Sequence, residues 1–202
     1  MMPFLALIVA YLVGGIPFGY LLVRMKTGQD VRSMGSGNIG ATNVLRTTGR
    51  AIAVITLLLD IGKGFFAVWL TQKLCENLPP RESALWMSAA ALAVMAGHAY
   101  PVFLKFQGGK AVASFIGAFA YLTPIPMAVV LVLFVIVVAA TRHISMGSIV
   151  AAGSLPLAVW LVEHPPAPVW IAAAAAGFFI IYRHGANIAR IRAGNENVFR
   201  FK

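Results

Sequence analysis

Long apolar runs separated by short polar segments form the main pattern of this chain. The first run, at positions 3–23, holds no charged residue. At about 1.5 Å of rise per residue, roughly 20 helical residues cross the ~30 Å hydrocarbon layer of a bilayer. This run therefore predicts a transmembrane helix. A cleaved signal peptide is not favoured, because a basic start, a short apolar centre and a small-residue cleavage site are not evident.

Six further apolar runs predict helices of the same kind. They lie at positions 51–72, 84–103, 111–122, 125–141, 144–162 and 167–182. The run at 111–122 is too short to cross a bilayer unaided, and the segment Thr123-Pro124-Ile125-Pro126 turns the chain before the next run. We therefore expect an all-α integral membrane protein, a polytopic bundle of about seven transmembrane helices, with six as the alternative count.

Composition supports a membrane protein and argues against a soluble one. Apolar residues make up 60 % of the chain and charged residues 11 %, a mixture that lies outside the range of soluble domains. No linker rich in Ser, Pro or Gly interrupts the sequence, so we expect residues 1–202 to form a single membrane-embedded domain. Cys75 is the only cysteine, and no His cluster accompanies it, so we expect no disulfide, metal or cofactor.

The basic residues fall mainly on one side when the predicted helices alternate in direction. Two of the 16, Lys73 and Arg81, lie on the opposite side, and Lys63 lies inside the second run. The others are Arg24, Lys26, Arg32, Arg46, Arg50, Lys105, Lys110, Arg142, Arg183, Arg190, Arg192, Arg200 and Lys202. The positive-inside rule then predicts an outer amino end and a cytoplasmic carboxyl end. Topology thus explains the net charge of +10 better than nucleic-acid binding, which would concentrate charge on one polar face.

The polar segment at 34–46 combines closely spaced glycines with small hydrogen-bonding side chains. Gly35, Gly37 and Gly40 match the G-x-G-x-x-G pattern of dinucleotide-binding domains, but no strand precedes them, so that interpretation fails. Successive glycine N–H groups can converge on an anion, and Ser, Asn and Thr add donors. Two interpretations stay open here: a phosphate-binding loop, and a turn-rich loop whose polar groups satisfy one another.

A second candidate anion site, Gly108-Gly109-Lys110, precedes the fourth apolar run. Two flexible backbone amides, a lysine and a helix N-terminus all favour negative charge. The segment is not a Walker A motif, because Leu104 stands where the first glycine is required and Ala111 follows the lysine. The alternative is an ordinary helix start after a glycine turn.

Asp60 and Lys63 lie one helical turn apart inside the second run. Ionised groups at that depth are costly, so we expect them to face the interior and to pair with each other or with another polar group. A functional role and a purely structural ion pair both stay open. The glycines and the proline at 14–19 interrupt the first run and predict a kink or a close helix contact.

The carboxyl-terminal segment at 182–196 carries His184 and Asn187 among basic residues. On a continuous helix these two residues share one face, while Arg183 and Arg190 share another. The arginines alone are typical of a cytoplasmic helix end that meets anionic lipid. His184 and Asn187 add no fixed charge and therefore point to a further role.

Together these segments resemble the bacterial membrane glycerol-3-phosphate acyltransferases that use acyl phosphate as donor, the PlsY family. The matching motifs are Gly35-Ser36-Gly37-Asn38-Ile39-Gly40-Ala41-Thr42-Asn43 with Arg46, then Gly108-Gly109-Lys110, then Tyr182-Arg183-His184 with Asn187, Arg190, Gly194 and Glu196. Their order, spacing and common side of the membrane make the set specific. Apart from Glu196, the tail from Asn195 onward follows no family pattern on which an expectation can rest.

The resemblance implies an enzyme of phospholipid synthesis in the bacterial inner membrane, with its active site facing the cytoplasm. Its reaction would transfer a fatty acyl group from acyl phosphate to the 1-hydroxyl of glycerol 3-phosphate, giving 1-acyl-glycerol 3-phosphate and phosphate. The expected partners are these two substrates and membrane lipid, with no nucleic acid and no cofactor. Two candidate anion sites suit two phosphate-bearing substrates.

The same resemblance implies roles for individual residues. Catalytic roles fall to Ser36, Arg46, His184 and Asn187. Substrate-binding roles fall to Gly37, Asn38, Gly40, Thr42, Asn43, Lys63, Gly108, Gly109, Lys110 and Glu196, with the glycerol phosphate held by the Gly108-Gly109-Lys110 segment. No histidine has an aspartate five positions later, so the His–Asp dyad of another acyltransferase family is absent. We expect Ser36 to donate a hydrogen bond, because no adjacent base is evident to activate it as a nucleophile.

Two other functions stay open at this point. One is a transporter or flippase for a phosphorylated metabolite or lipid, which needs access from both sides of the membrane. The other is a membrane scaffold without catalytic activity. The acyltransferase hypothesis requires the 36–46 loop, Lys110 and the His184 segment to meet in one cavity at the inner leaflet.

Overall fold

The computed structural model describes residues 2–199, and this part of the chain is all-helical, without a strand. The helices are α1 (Met2–Gly15), α2 (Phe18–Thr27), α3 (Ala41–Thr47), α4 (Arg50–Leu74), α5 (Pro80–Ala99), α6 (Val112–Leu122), α7 (Pro124–Thr141), α8 (Ile144–Glu163), α9 (Ala167–Arg183) and α10 (Gly185–Arg192). Short 3₁₀ turns lie at Val31–Ser33 and Val102–Leu104. Each predicted apolar run contains one or two of these helices, so the all-α prediction is confirmed.

Five segments among the described residues are long and apolar enough to cross a bilayer. They are Met2–Thr27, Arg50–Leu74, Pro80–Leu104, Pro124–Thr141 and Ile144–Glu163. A sixth exists if α9 and α10, which meet at a bend of 57°, count as one broken span. Helix α6 has 11 residues and is too short to cross alone. The count of seven crossings therefore stays a prediction.

The first span is broken between α1 and α2, as its glycines and proline predicted. Pro17 lacks a backbone N–H and cannot continue the hydrogen-bond ladder of α1. Before the break, α1 lies directly on α5, because a Cβ added at Gly14 would stand 2.1 Å from the carbonyl oxygen of Val94. Small residues at this contact let the two helix backbones touch.

Helices α4 and α6 also approach each other through glycine. A Cβ on Gly64 would lie 2.2 Å from the carbonyl oxygen of Ser114, and one on Gly117 would lie 1.9 Å from that of Ile61. Each glycine thus meets the backbone of the other helix. This reciprocal contact fixes the short helix α6, and with it the turn that precedes it, against α4.

The chain divides into two compact units, the first ending at Tyr121 and the second beginning at Leu122. In the first unit α1 packs on α4 and α5, α4 packs on α5, and α3 packs on α4. In the second unit α8 packs against both α7 and α9. That residues 1–202 act as one domain stays a prediction. Arg200 and Lys202, two of the basic residues assigned to the inner side, lie outside the described residues.

Candidate active site

Asn43, on helix α3, organises the glycine-rich loop that precedes it. Its side chain is buried, and its amide oxygen accepts the N–H of Ser36 at 2.8 Å. Its amide nitrogen donates to the carbonyl oxygens of Val31, Met34 and Asn38 at 3.2, 3.0 and 2.9 Å. Both the oxygen and the nitrogen of this side chain are therefore bonded to backbone groups of residues 31–38. The structure thus gives Asn43, predicted to bind substrate, a role in holding the loop.

The rest of the loop divides between internal hydrogen bonds and exposed groups. The N–H of Gly40 donates to Asn38 Oδ1 at 2.8 Å, so this amide is engaged within the loop. Gly35 and Gly37 adopt positive φ angles of 58° and 70°, a conformation that favours glycine. Ser36 lies exposed between them, and Arg46 is exposed on α3. The two candidate catalytic residues of this loop are thus accessible to a ligand.

A carboxylate at the start of the same loop was not identified from the sequence. Asp30 accepts the backbone N–H of Arg32 at 2.9 Å and forms an ion pair with its guanidinium at 2.7 Å. The hydrogen bond from the Arg32 side chain lowers the pKa of Asp30 below its ordinary value, although partial burial opposes this change. The pair closes the short 3₁₀ turn that leads from α2 into the loop.

The turn at Gly108 and Gly109 is bonded to the end of α5. The Gly108 N–H donates to the carbonyl oxygen of Ala99 at 3.2 Å, and the Gly109 N–H donates to that of His98 at 3.1 Å. Both amides therefore have carbonyl partners within the chain, and the anion site predicted at this segment stays a prediction. Lys110 follows the turn and precedes α6, so it is the remaining candidate anion ligand of this segment.

Lys63, predicted to bind substrate, lies deep in the first unit. Its ammonium is 2.8 Å from Asp60 Oδ1, and both side chains are 2 % exposed. It also donates to the carbonyl oxygen of Ile16 at 2.9 Å. The expectation of a buried Asp60–Lys63 pair is therefore confirmed. These contacts occupy the ammonium with partners of the chain itself.

Glu196 forms the centre of a polar cluster in the second unit. Its Oε1 accepts from Asn187 Nδ2 at 2.7 Å and from Ser145 Oγ at 3.0 Å, and its Oε2 accepts from Arg190 Nε at 2.7 Å. Burial of the Glu196 carboxyl raises its pKa, but the three hydrogen bonds outweigh burial, so the pKa lies below its ordinary value. Glu196, predicted to bind substrate, thus joins α8, α10 and the tail.

Two backbone contacts hold the tail at the same place. The N–H of Phe199 donates to the carbonyl oxygen of Arg142 at 2.7 Å, and the ring of His143 lies 3.3 Å from the carbonyl oxygen of Asn197. The tail therefore lies against the turn between α7 and α8. No local sequence motif predicts the contacts that place the tail there.

His184 lies at the bend between α9 and α10. The helix is not continuous here, so the expectation that His184 and Asn187 share one face of a continuous helix is wrong. The His184 ring is buried, and its Nδ1 lies 2.8 Å from the carbonyl oxygen of Ile180, which only an N–H can satisfy. This bond identifies Nδ1 as the ring nitrogen that carries a proton.

Two participants were missed by sequence reasoning. Ser145 and His98 lie within predicted apolar runs and belong to none of the predicted sites. In the structure Ser145 binds Glu196, and His98 Nδ1 lies 3.6 Å from Asp60 Oδ1.

Within residues 2–199, no group of three or more His, Cys, Asp or Glu side chains is placed to hold a metal ion.

Comparison with known proteins identifies the class of protein to which the chain belongs. The chain superposes on solved structures of an integral membrane enzyme with TM-scores of 0.90 and 0.87 over 99 % of its length. It is therefore an integral membrane protein of that helical fold. The family model for glycerol-3-phosphate acyltransferase matches residues 4–194, and the chain belongs to this family of acyltransferases.

Individual relatives agree with this assignment. The glycerol-3-phosphate acyltransferase of Geobacter sulfurreducens is 46 % identical over 192 residues, which cover 95 % of each chain. That of Geotalea daltonii is 41 % identical over 191 residues, which cover 95 % of this chain and 94 % of the relative. The structure with the TM-score of 0.90 is PlsY (YgiH), an integral membrane glycerol 3-phosphate acyltransferase, in its glycerol 3-phosphate form; it is 33 % identical, and the match covers 96 % of it. The second, at 0.87 and 32 %, is its lysophosphatidic acid form.

Proposed function

We propose that this protein transfers a fatty acyl group from acyl phosphate to the 1-hydroxyl of glycerol 3-phosphate, producing 1-acyl-glycerol 3-phosphate and phosphate. The observation that carries the proposal is the likeness to PlsY, whose two solved forms contain glycerol 3-phosphate and lysophosphatidic acid. The second of these molecules is the first with one acyl group added. The two ligands therefore correspond to acceptor and product of the reaction proposed for this chain.

The proposed reaction needs little covalent participation by the protein. The 1-hydroxyl oxygen forms a bond to the acyl carbon, the bond from that carbon to the phosphate oxygen breaks, and the hydroxyl proton ends on the departing phosphate. Acyl phosphate is already activated, so positioning and stabilisation of developing negative charge supply most of the catalysis. Hydrogen bonding and cationic side chains such as Ser36 and Arg46 suit that role, and the exposure of both supports it.

We assign the glycerol phosphate to the Gly108-Gly109-Lys110 segment, with Lys110 as its charged ligand. The 36–46 loop is assigned to the phosphate of the donor, with Ser36, Asn38 and Arg46 as ligands and Gly37, Gly40 and Thr42 shaping the loop. A catalytic role is assigned to His184. Asn187 and Glu196 support it through the cluster around the Glu196 carboxylate.

We infer an orientation with the site on the cytoplasmic side of the bacterial inner membrane and seven crossings. Tryptophan concentrates at membrane interfaces, and all four tryptophans support the inferred chain path. Trp69 and Trp160 lie in the last third of α4 and α8, whereas Trp86 and Trp170 lie in the first half of α5 and α9. With alternating crossings that include α6, each of these positions belongs to an outer helix end.

Cysteine labelling from outside the cell at Arg81 and at Arg142 tests this topology, with labelling expected at Arg81 only.

The activity is tested with purified protein, acyl phosphate and glycerol 3-phosphate. We expect phosphate release that requires both substrates, together with formation of 1-acyl-glycerol 3-phosphate. Acyl coenzyme A in place of acyl phosphate serves as the donor control. Uptake of glycerol 3-phosphate into vesicles without chemistry would contradict the proposal and support a transporter.

The Lys110→Ala variant tests the assignment of the glycerol phosphate. We expect the KM for glycerol 3-phosphate to rise by about tenfold or more while the KM for acyl phosphate changes little, since one charge-assisted contact to the acceptor is lost. Lys105→Ala is the matched control, because Lys105 is exposed in the same inner segment and outside the assigned site. An unchanged KM for glycerol 3-phosphate in Lys110→Ala would refute the assignment.

A further inference from the structure

A buried polar cluster in the first unit extends from the break in the first span to the turn before Lys110. Its centre is the Asp60 carboxylate, with Lys63 Nζ 2.8 Å and His98 Nδ1 3.6 Å from the same oxygen. All three side chains are at most 4 % exposed. Asp60 therefore has no direct route to a substrate, and its influence on the site must pass through the residues that it holds.

The His98 ring reaches from Asp60 to the glycine turn. A Cβ built on Gly109 would lie 2.3 Å from His98 Nε2 and 2.9 Å from its Cδ2. The Gly109 backbone thus lies directly against the edge of the imidazole, on the side of the ring that carries Nε2. Since the Gly109 N–H also donates to the His98 carbonyl oxygen at 3.1 Å, one residue of α5 contacts the turn through both its ring and its backbone.

At the opposite end, Lys63 ties the cluster to the break between α1 and α2. Its ammonium donates to the carbonyl oxygen of Ile16, which also accepts the N–H of Phe18 at 3.1 Å, and it lies 5.6 Å from the centroid of the Phe18 ring. The ammonium is therefore held by an anion, a carbonyl and an aromatic face. Asp60 thus stands between the Lys63 ammonium and the His98 ring.

We propose that Asp60 is a positioning residue for the acceptor site: its carboxylate holds the His98 ring, and the ring fixes Gly109 and hence Lys110. This inference rests on the proposed function, in which Lys110 binds glycerol 3-phosphate. A buried ion pair contributes little net stability compared with apolar residues of similar volume. Its cost is therefore better explained by the orientation that it imposes on the turn.

The Asp60→Asn variant tests the proposal. Asparagine retains the size of the side chain but removes the charge that holds the imidazole and the ammonium. We expect the KM for glycerol 3-phosphate to rise about tenfold, with kcat within about threefold and the KM for acyl phosphate nearly unchanged. A purely structural loss would reduce the folded fraction, and so the apparent kcat, without changing either KM.

Gly62→Ala is the matched control. Gly62 lies on the same helix between Asp60 and Lys63, and a Cβ there meets no atom within 4 Å, so wild-type constants are expected. If Asp60→Asn cannot be recovered folded, His98→Gln decides, because it retains the Asp60–Lys63 pair and removes the ring beside Gly109. The same selective rise in KM supports the proposal, and equal changes in both KM values or unchanged constants overturn it.

Glycerol 3-phosphate binding, measured by calorimetry without donor, separates this inference from the proposed function. Wild-type protein that releases no phosphate from acyl phosphate and glycerol 3-phosphate would refute the proposed function whatever the variants do. Active wild-type protein whose Asp60→Asn and His98→Gln variants bind glycerol 3-phosphate with wild-type affinity would refute the positioning role alone.

Discussion

The loop around Asn43 and the tail around Glu196 each depend on one buried side chain, but the two side chains differ in charge. Asn43 is a neutral amide whose partners are all backbone groups. Glu196 is a carboxylate whose partners are three side chains from α8 and α10. The loop is therefore held by groups that every sequence supplies, whereas the tail depends on the identity of distant residues.

The difference in charge between Asn43 and Glu196 changes how the stability of each region depends on pH. A neutral amide does not titrate, so the Asn43 bonds persist at any pH at which the chain is folded. The Glu196 cluster gains strength from charge, because hydrogen bonds to an ionised group are stronger than those between neutral groups. The largest effects are expected where the most bonds depend on one side chain.

Asn43→Ala is expected to have the largest effect. It removes four hydrogen bonds and takes from the Ser36 N–H and the Asn38 carbonyl oxygen the partner that Asn43 supplies, which costs about 3 kcal/mol or more. We expect a clearly lower Tm in detergent and loss of acyl transfer. Asn38→Ala, which removes one side-chain acceptor, is the control and is expected to cost about 1 kcal/mol. Equal Tm values for the two variants would contradict the central role of Asn43.

Glu196→Gln is expected to have an intermediate and pH-dependent effect. The variant loses the charge that Arg190 and Asn187 bind, so the tail is destabilised by about 2 kcal/mol at neutral pH. The pKa of Glu196 is lowered, so its contribution is present above the ordinary value of 4.5 and is lost as the pH falls through the lowered pKa. Hydrogen exchange of residues 194–199 at a series of pH values measures this contribution.

The difference between wild-type protein and Glu196→Gln is the quantity to follow. Asp30 also has a lowered pKa, so the loop of the first unit loses stability in acid in both proteins, and the difference removes this effect. We expect the difference to shrink towards zero in acid. Asn195→Ala, at an exposed neighbouring position, is the control and should exchange like wild type. A difference that stays constant with pH would rule out the charged role of Glu196.

Ser145→Ala is expected to have the smallest effect. It removes one of three donors to Glu196 and leaves the two others, which costs about 1 kcal/mol or less. Faster exchange of residues 194–199 is expected, by less than in Glu196→Gln. Ser148→Ala is the matched control, because the Ser148 hydroxyl donates to the carbonyl oxygen of Ile144 in its own helix. Identical exchange in the two serine variants would remove Ser145 from the cluster.

The helices were predictable because the signal for them is local. An apolar run long enough to span a bilayer must satisfy its backbone within itself, and a helix does so. The Pro17 break and the buried Asp60–Lys63 pair followed from the same reasoning. The 57° bend at His184 did not, because a glycine after an apolar run is compatible with both a bend and a continuous helix.

The sequence indicated the types of residue in the candidate site more clearly than the role of each residue. The motifs around Ser36, Lys110 and His184 indicated the family that the comparisons confirm. They did not distinguish a residue that faces a ligand from one that holds the backbone. Asn43, Lys63 and Glu196 were all predicted to bind substrate, and the structure gives each of them partners within the chain.

The sequence alone determined that this protein is a helical membrane acyltransferase of a known family, since apolar run length, charge asymmetry and motif order can be read along one dimension. Only the tertiary structure decided which polar groups distant in the sequence bind each other. His98 and Asp60 stand 38 positions apart, as their numbers show, yet lie within 3.6 Å. Hydrogen bonds and ion pairs act over a few ångströms in space, so the packing of the helices sets their partners, and the order of residues does not.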